Sequence, residues 1–166
     1  MSTAYVALGA NLPFEALPPQ DTLRCAVIAL AGVGFEPLAA SSLWRSPAWP
    51  PSDQPDYNNA VVAVEAGDHP PQALYEVLRK IETRFGRERR ELYAARTLDL
   101  DIVALDGVCG VFGGIILPHP RMAERAFVLA PLAEIAPSWW HPALGQTAAD
   151  LLAALPLGQV ERVGPL

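Results

Sequence analysis

Apolar and polar residues alternate along some stretches of this chain and recur at helical spacing along others, so the sequence divides into predicted strands and helices. The strand pattern occurs at four places, namely residues 5–8, 57–65, 98–105 and 115–117. The segment 35–44 also reads as extended chain. A tight turn is expected at 9–11, because glycine and asparagine tolerate turn conformations.

Two segments carry apolar residues at the three- and four-residue spacing of an amphipathic helix. The first is expected to be capped by Asp21 and to end near Gly32. The second begins with Pro70 and Pro71, which suit a first helical turn, and ends at Gly86, which suits a helix C-terminus. Further helical pieces are expected after the last strand.

The resulting order, β-α-β-β-α-β, predicts an α+β fold of the ferredoxin-like sandwich type, with an antiparallel sheet and C-terminal helical additions. The two helices should pack on one face of the sheet and leave the other face open to ligands. Residues 46–56 contain four prolines and must form an irregular loop, a kind of segment that is often functional. Residues 1–166 are expected to form a single domain, because no linker or repeat interrupts them.

Composition excludes several classes of protein. The net charge of −6 argues against nucleic acid or anionic lipid as a partner. No apolar run reaches the roughly 20 residues of a membrane span, and the N-terminus lacks the pattern of a secretory signal. The two cysteines show no metal-ligand spacing, which suits a reduced compartment. We therefore expect a cytoplasmic monomer that acts on small molecules.

Positive charge is nevertheless concentrated in one segment. Five of the twelve basic side chains fall within 84–96, namely Arg84, Arg87, Arg89, Arg90 and Arg96. The first two could simply face the carbonyl end of the second helix. The other three lie beyond the glycine that ends this helix. A concentrated arginine patch on an acidic protein predicts a compact polyanion such as a nucleotide polyphosphate.

Two aspartates follow this arginine segment on a predicted strand. Alternation sends Leu98, Leu100 and Ile102 to one face and both Asp99 and Asp101 to the other. Carboxylates about 6.5 to 7 Å apart along a strand repel each other unless water, arginine or a cation lies between them. Magnesium suits this pair, since it binds one or two carboxylates together with water and substrate phosphates. The alternative is a solvated strand face paired to arginine, but the clustered arginines favour the metal site.

Three further residues are candidates for ligand contacts. Asn59 offers an acceptor and two donors, which suits the edge of an aminopyrimidinone ring, and Tyr57 on the same strand face could stack on that ring. Both could instead be ordinary residues of a strand end. His119 lies between two prolines, so its imidazole is held in place and could hydrogen-bond a phosphate or serve a structural role.

Four segments resemble, in order, those of the 6-hydroxymethyl-7,8-dihydropterin pyrophosphokinase family. They are residues 4–12 (AYVALGANL), 53–60 (DQPDYNNA), 96–102 (RTLDLDI) and 118–127 (PHPRMAERAF). The resemblance spans nearly the whole chain. It implies transfer of diphosphate from ATP to the hydroxymethyl group of the pterin, with release of AMP, as a step of folate biosynthesis.

The resemblance also implies roles for individual residues. Asp99 and Asp101 would bind two Mg²⁺ ions, and Arg87 and Arg96 would be the catalytic arginines that stabilise transition-state charge. The pterin would lie among Ser46, Pro47, Trp49, Tyr57, Asn59 and Phe127. ATP would be contacted by Glu82, Arg87, Arg89, Arg96, His119 and Arg125.

Two other functions fit the residues less fully. A palm-like domain of two-metal nucleotidyl transfer also places paired aspartates on antiparallel strands, but it would act on a nucleotide acceptor. A noncatalytic ligand-binding module of the ferredoxin-like class would carry the aspartates as surface residues and show no metal dependence.

Overall fold

The computed structural model describes residues 2–88 and 91–166. Its first half consists of β1 (Thr3–Ala10), α1 (Pro19–Gly32), β2 (Pro37–Ala40), β3 (Leu43–Ser46), β4 (Tyr57–Glu65), α2 (Pro71–Arg84) and β5 (Asp99–Leu105). The remainder consists of β6 (Gly110–Phe112), β7 (Ile115–Leu117), a 3-10 turn (Met122–Glu124), α3 (Ala126–Ile135), β8 (Trp140–His141), β9 (Gln146–Thr147), α4 (Ala148–Ala153) and β10 (Glu161–Gly164).

The main sheet is antiparallel throughout, with strand order β10-β3-β4-β1-β5 and β2 also paired to β4. This arrangement confirms the predicted α+β ferredoxin-like fold. Strand β1 lies between β4 and β5 and sets their register relative to each other. Gly9 lies opposite both Asn59 on β4 and Asp99 on β5, and Ala7 lies opposite Asp101. The polar residues of β4 and β5 therefore flank a floor of small residues.

The first hydrophobic core lies between the sheet and helices α1 and α2. Both helices bury the stripe that their spacing predicts, and their buried leucines pack against the inward residues of β1 and β5. Core members from helices and sheet include Leu23, Leu30, Leu74, Leu78, Val6, Leu8, Leu98 and Leu100. Because Leu98 and Leu100 face this core, strand alternation turns Asp99 and Asp101 to the opposite face, as predicted.

The opposite face of the sheet is not left open along its whole length, and this part of the prediction is wrong. Helices α3 and α4 pack there, and their residues Leu129, Leu132 and Leu151 form a second core with Val61 and Val103 of the sheet. Val61 and Val103 are apolar on that face, and α3 is apolar around most of its circumference, so both require cover. Among the described residues, the end of the face that carries the polar side chains remains available to ligands.

Smaller differences concern element boundaries. β1 continues through Ala10 instead of turning at Gly9, because Gly9 is paired on both sides within the sheet. α1 begins at Pro19, so Asp21 lies in its first turn and pairs with Arg24 at 2.6 Å instead of capping the helix. The chain's last strand, β10, pairs with β3 and was not predicted. Within the described ranges, no helix has the length and apolarity needed to cross a membrane.

Candidate active site

A cavity of about 470 Å³ opens over the uncovered end of the sheet. Its walls come from β1, β4 and β5, the proline-rich loop, the segment before β5 and the start of α3. The residues predicted from the sequence that line it are Ser46, Pro47, Trp49, Tyr57, Asn59, Arg96, Asp99, Asp101, His119, Arg125 and Phe127. Residues far apart in the chain are thus brought together around one space.

The two aspartates have different surroundings although they lie on one strand face. Asp99 is held by two guanidinium groups, with Arg87 Nη1 2.7 Å from Oδ1 and Arg96 Nη1 2.9 Å from Oδ2. Burial alone raises the pKa of Asp99, but Arg96 and Arg87 outweigh it and bring the pKa below its ordinary value. Burial and the neighbouring Asp99 charge raise the pKa of Asp101, whose nearest cation in an ion pair is Arg79 at 3.9 Å.

The carboxylate pair also meets the requirements of a magnesium site. Within the described part of the chain, no group of three or more histidine, cysteine, aspartate or glutamate side chains could enclose a metal ion. A cation held by Asp99 and Asp101 would draw its other ligands from water and a bound phosphate. Magnesium is commonly held in this way, so the residues present fit it.

Glu82 does not have the position that the resemblance implies. Its side chain is only 1% exposed and does not line the cavity. Its carboxylate instead lies 2.8 Å from Arg79 Nη1 and 3.1 Å from Arg87 Nη1, and it accepts a hydrogen bond from the Leu100 N–H. Burial raises the pKa of Glu82 despite these partners. Direct contact with ATP is therefore not what this geometry favours.

The predicted arginines divide into three groups. Arg96 lines the cavity, and its backbone N–H donates to Asn11 Oδ1 at 2.7 Å. Arg87 is 9% exposed and reaches Asp99 from behind, away from the cavity lining. The predictions made for Arg89 and Arg90 fall outside the described residues. A further predicted arginine, Arg125, also lines the cavity.

The end of the cavity where the resemblance predicts the pterin is formed by neutral groups. Asn59 is 4% exposed, and its Nδ2 donates to Ser46 Oγ at 2.9 Å and to the Trp44 carbonyl at 3.3 Å. Because these donors are used within the protein, the carbonyl Oδ1 is the part of the amide that can accept from a ligand N–H. Tyr57 on β4 and Phe127 on α3 supply the two aromatic side chains predicted to stack.

His119 is fixed by its own backbone and by its neighbours. The backbone N–H of His119 donates to the Val103 carbonyl at 2.8 Å, and its ring Nδ1 accepts from the backbone N–H of Arg121 at 3.1 Å. An accepting Nδ1 places the proton of the neutral ring on Nε2. Burial and the nearby Arg125 charge lower the pKa of His119 to about 4, so the ring is neutral near pH 7. The cavity therefore receives a neutral N–H donor from this residue.

Sequence reasoning missed several residues of the cavity wall. The Arg121 guanidinium lies 5.4 Å from the Trp49 ring centre, and the Trp49 and Tyr93 rings meet edge-on at 5.8 Å. Arg121 and Tyr93, which were not predicted, line the cavity beside the predicted Trp49, as does Gln159 from the last connection. Arg121 stands within the Pro118–Met122 segment already singled out, so its charge beside His119 was an available signal. No local pattern indicated Gln159.

Comparisons with known proteins agree with this geometry. The family described as 7,8-dihydro-6-hydroxymethylpterin-pyrophosphokinase (HPPK) matches residues 5–137. The chain is 40% identical over 163 residues to the 2-amino-4-hydroxy-6-hydroxymethyldihydropteridine pyrophosphokinase of Synechocystis sp., covering 98% of this chain and 80% of that protein. It is 38% identical over 164 residues to the enzyme of the same name from Methylorubrum extorquens, covering 98% and 99%.

A solved structure, that of Plasmodium falciparum HPPK-DHPS with pteroate, has the same fold. It superposes with a TM-score of 0.70 at 11% identity over 92% of this chain, which spans only 44% of that longer chain. The family match favours pterin pyrophosphokinase chemistry over the palm-like and noncatalytic alternatives. The chain therefore belongs to the 7,8-dihydro-6-hydroxymethylpterin-pyrophosphokinase family, whose members are ATP-dependent pyrophosphokinases of folate biosynthesis.

Proposed function

We propose that this chain transfers the diphosphate group of ATP to the hydroxymethyl group of 6-hydroxymethyl-7,8-dihydropterin within the cavity described above. One observation carries the assignment of residues. A neutral, aromatic end and an end with paired carboxylates and arginines share a single cavity, so a flat heterocycle and a polyphosphate can be bound side by side. The substrates are small molecules, and neither nucleic acid nor membrane is a partner.

The pterin ring is bound between Tyr57 and Phe127, whose faces supply contact area. Asn59 Oδ1 accepts an N–H from the edge of the ring, while Ser46 and Trp44 keep the amide in one orientation. Pro47 and Trp49 close this end of the cavity. Recognition by one oriented acceptor favours a ring with an N–H edge over a ring of the same size without one.

Asp99 and Asp101 would hold magnesium, and we propose two ions at this site. When bound, magnesium neutralises phosphate charge and so favours attack at phosphorus. The carboxylates also set the position of the polyphosphate relative to the pterin, because they project from β5 directly beside the small residues of β1. Asp99 must share its oxygens between the metal and the two arginines that it now contacts.

The remaining charged and polar groups act on the phosphates. The pterin hydroxymethyl oxygen forms a bond to the β-phosphorus, the bond from that phosphorus to the α-phosphate bridging oxygen breaks, and AMP leaves. The hydroxyl proton passes to solvent. Arg96 and Arg125 lie in the cavity wall to neutralise the phosphate oxygens, and Arg87 adds charge from behind Asp99. His119 Nε2–H contributes a neutral hydrogen bond.

We further propose that residues 1–166 act as one domain and as a cytoplasmic monomer. The pairing of β10 with β3 supports one domain, since it joins the C-terminal segment to the sheet that contains β1.

The experiment that tests the reaction is incubation of the protein with ATP, magnesium and the pterin alcohol, followed by separation of the products. We expect AMP and pterin diphosphate in equal amounts, and no product when magnesium is chelated. Release of ADP would indicate transfer of one phosphoryl group, and release of pyrophosphate would indicate nucleotidyl transfer. Either result, or no reaction at all, would contradict the proposed function.

A further inference from the structure

The strand that carries the aspartates lies at an edge of the main sheet. Leu8 and Leu100 face each other across β1 and β5 between the pairs Gly9–Asp99 and Ala7–Asp101. The backbone groups of Leu100 are directed away from β1, where an edge strand lacks a neighbour. Side chains of α2 satisfy them. The Leu100 N–H donates to Glu82 Oε2 at 3.1 Å, and Arg79 Nη2 donates to the Leu100 carbonyl.

A third side chain, that of Arg87, pairs with one more backbone group at this strand edge. Arg87 Nη1 donates to the Leu98 carbonyl at 2.9 Å. Side chains from α2 and the residues after it thus take the place of a neighbouring strand along the segment that presents both aspartates. The backbone on either side of Asp99 is thereby fixed by groups outside the sheet.

Glu82 connects the members of this arrangement. Its carboxylate bridges Arg79 and Arg87, at 2.8 and 3.1 Å, while also accepting the Leu100 N–H. The same Arg87 Nη1 atom contacts Glu82, the Leu98 carbonyl and Asp99. A carboxylate this deeply buried is costly unless it is fully paired, so these contacts define one arrangement of both arginines.

We propose that Glu82 is a positioning residue, which holds Arg87 against Asp99 and fixes the β5 backbone between the two aspartates, and that it is not a ligand of the nucleotide. The proposal rests on the roles given to Arg87, Asp99 and Asp101 under the proposed function. Its chemical basis is that one buried anion orients two cations and one amide. Glu82 and the two arginines that it contacts form one anchor, of which Arg79 was not among the residues predicted from the sequence.

The Glu82 carboxylate both pairs with arginines and accepts the Leu100 N–H, and Glu82→Gln removes the charge while it keeps an acceptor for this N–H. Its amide oxygen, placed where Oε2 lies, can still accept the Leu100 N–H and face Arg87 Nη1, but its amide nitrogen takes the place of Oε1 and meets the Arg79 donor. The variant therefore breaks the contact with Arg79 and leaves Arg87 a neutral acceptor in place of an anion, while the strand edge stays covered. We expect kcat to fall by roughly 10- to 100-fold, since small misplacements of a catalytic group have effects of this size. The Kd for the pterin and the Kd for an ATP analogue should each stay within about threefold.

Glu82→Ala removes both the charge and the hydrogen-bond acceptor, and it supplies a readout that does not depend on activity. Hydrogen exchange at the Leu100 amide should be faster in Glu82→Ala than in the unmodified protein and nearly unchanged in Glu82→Gln. Glu76→Gln is the matched control, because Glu76 is an exposed glutamate on the same helix. It should leave kcat and the exchange rate at Leu100 unchanged.

Arg87→Ala and the double variant Glu82→Gln/Arg87→Ala complete the design. If Glu82 acts through Arg87, the double variant should have the kcat of Arg87→Ala. Unchanged kcat in Arg87→Ala would contradict the proposed function, whatever Glu82→Gln does. An impaired Arg87→Ala beside an unimpaired Glu82→Gln would overturn the positioning role alone. So would a Glu82→Gln loss confined to nucleotide affinity, which is the behaviour of a direct ligand.

Stability provides the last check. Should both Glu82 variants be unfolded at the assay temperature, Arg79→Met tests the same anchor, because it leaves the Glu82–Arg87 pair in place. The proposal expects kcat to fall by about two- to fivefold, less than in Arg87→Ala, with substrate affinities preserved. Unchanged kcat in a folded Arg79→Met protein would overturn the anchor.

Discussion

The two ends of the cavity are held in place by different forces. At the pterin end, Asn59 is fixed by neutral hydrogen bonds to Ser46 and to the Trp44 backbone, all from the neighbouring strands β3 and β4. At the phosphate end, Asp99 is fixed by ion pairs to Arg87 and Arg96, which come from segments outside the strand. One end depends on strand register and the other on charge balance.

This difference predicts that the two ends fail in different ways. A neutral hydrogen-bonding group acts similarly on the bound substrate and on the transition state, so its loss should weaken pterin binding. Charges that face the phosphates matter most when charge is redistributed, so their loss should lower kcat. Substitutions at the two ends therefore test whether substrate choice and turnover are separate properties of this site.

The largest effect is expected for the aspartates. Asp99→Ala and Asp101→Ala should each lower kcat by roughly a thousandfold or more, because removal of a metal ligand removes charge neutralisation at the phosphates. Asp101 is 39% exposed and Asp99 22%, and among the described residues Asp99 pairs with arginines more closely than Asp101 does, so Asp99→Ala should lower Tm more. Asp106→Ala, at the exposed turn after β5, is the control. A near-normal rate in either variant at saturating magnesium would mean that the metal assignment is wrong.

The next effect concerns an arginine in the cavity wall. Arg96→Ala should lower kcat by about 100-fold, because its guanidinium stabilises charge that develops at the phosphates, while the pterin Kd changes by less than about threefold. Steady-state kinetics and calorimetric titration of the pterin measure the two quantities. Arg45→Ala removes an exposed arginine of β3 that pairs with Glu161 and should change neither. Equal losses in binding and rate would make Arg96 a general anchor and weaken the contrast between the two ends.

At the pterin end, Asn59→Leu should reduce pterin affinity by roughly 10- to 100-fold, since an unpaired buried polar group costs about 1 to 3 kcal/mol. Affinity for a nonhydrolysable ATP analogue with magnesium should persist. Tyr57→Ala and Phe127→Ala should also weaken the pterin, through lost contact area. Asn58→Leu makes the same change at the adjacent residue, which alternation directs to the other face of β4. Unchanged pterin affinity in Asn59→Leu would return Asn59 to a structural role.

The smallest effect is the pH dependence that arises from His119. Its folded-state pKa of about 4 lies below the ordinary value of 6.5, so the unfolded chain binds more protons between these values. Stability from this residue is therefore complete above pH 6.5 and is lost as pH falls towards 4, by at most about 1.4 kcal/mol per pH unit. Thermal unfolding of the unmodified protein and of His119→Gln over this range measures it. A slope of equal size in both proteins would contradict the depressed pKa.

The sequence predicted those parts of the site that depend on the alternation of side chains along a single strand. Alternation along β4 and β5 was sufficient to direct Asn59, Asp99 and Asp101 to one face, because adjacent residues of a strand point in opposite directions. It could not indicate which sheet face α3 and α4 would cover, since a helical period identifies an apolar stripe but not its partner. The second core and the true extent of the open face follow from packing between elements distant in the chain.

Glu82 illustrates a signal that was present but not used. It stands four residues after Leu78 and three after Arg79, so a carboxylate lies on the buried side of α2 with an arginine one turn before it. This pattern indicates a buried ion pair. The additional contacts to Arg87 and to the Leu100 N–H join α2 to β5 and cannot be inferred from helical spacing.

The three arginines and three carboxylates around β5 also determine the charge balance of the site when ligands bind. Arg79, Arg87 and Arg96 face Glu82, Asp99 and Asp101, so this group carries no net charge when all six are ionised. A metal ion held at Asp99 would share that carboxylate with Arg87 and Arg96, and a bound phosphate would give these guanidinium groups a second counterion. Ligand binding under the proposed function would then redistribute ionic partners that the protein already supplies. Each arginine acts as an internal counterion, which reduces the mutual repulsion of the paired carboxylates.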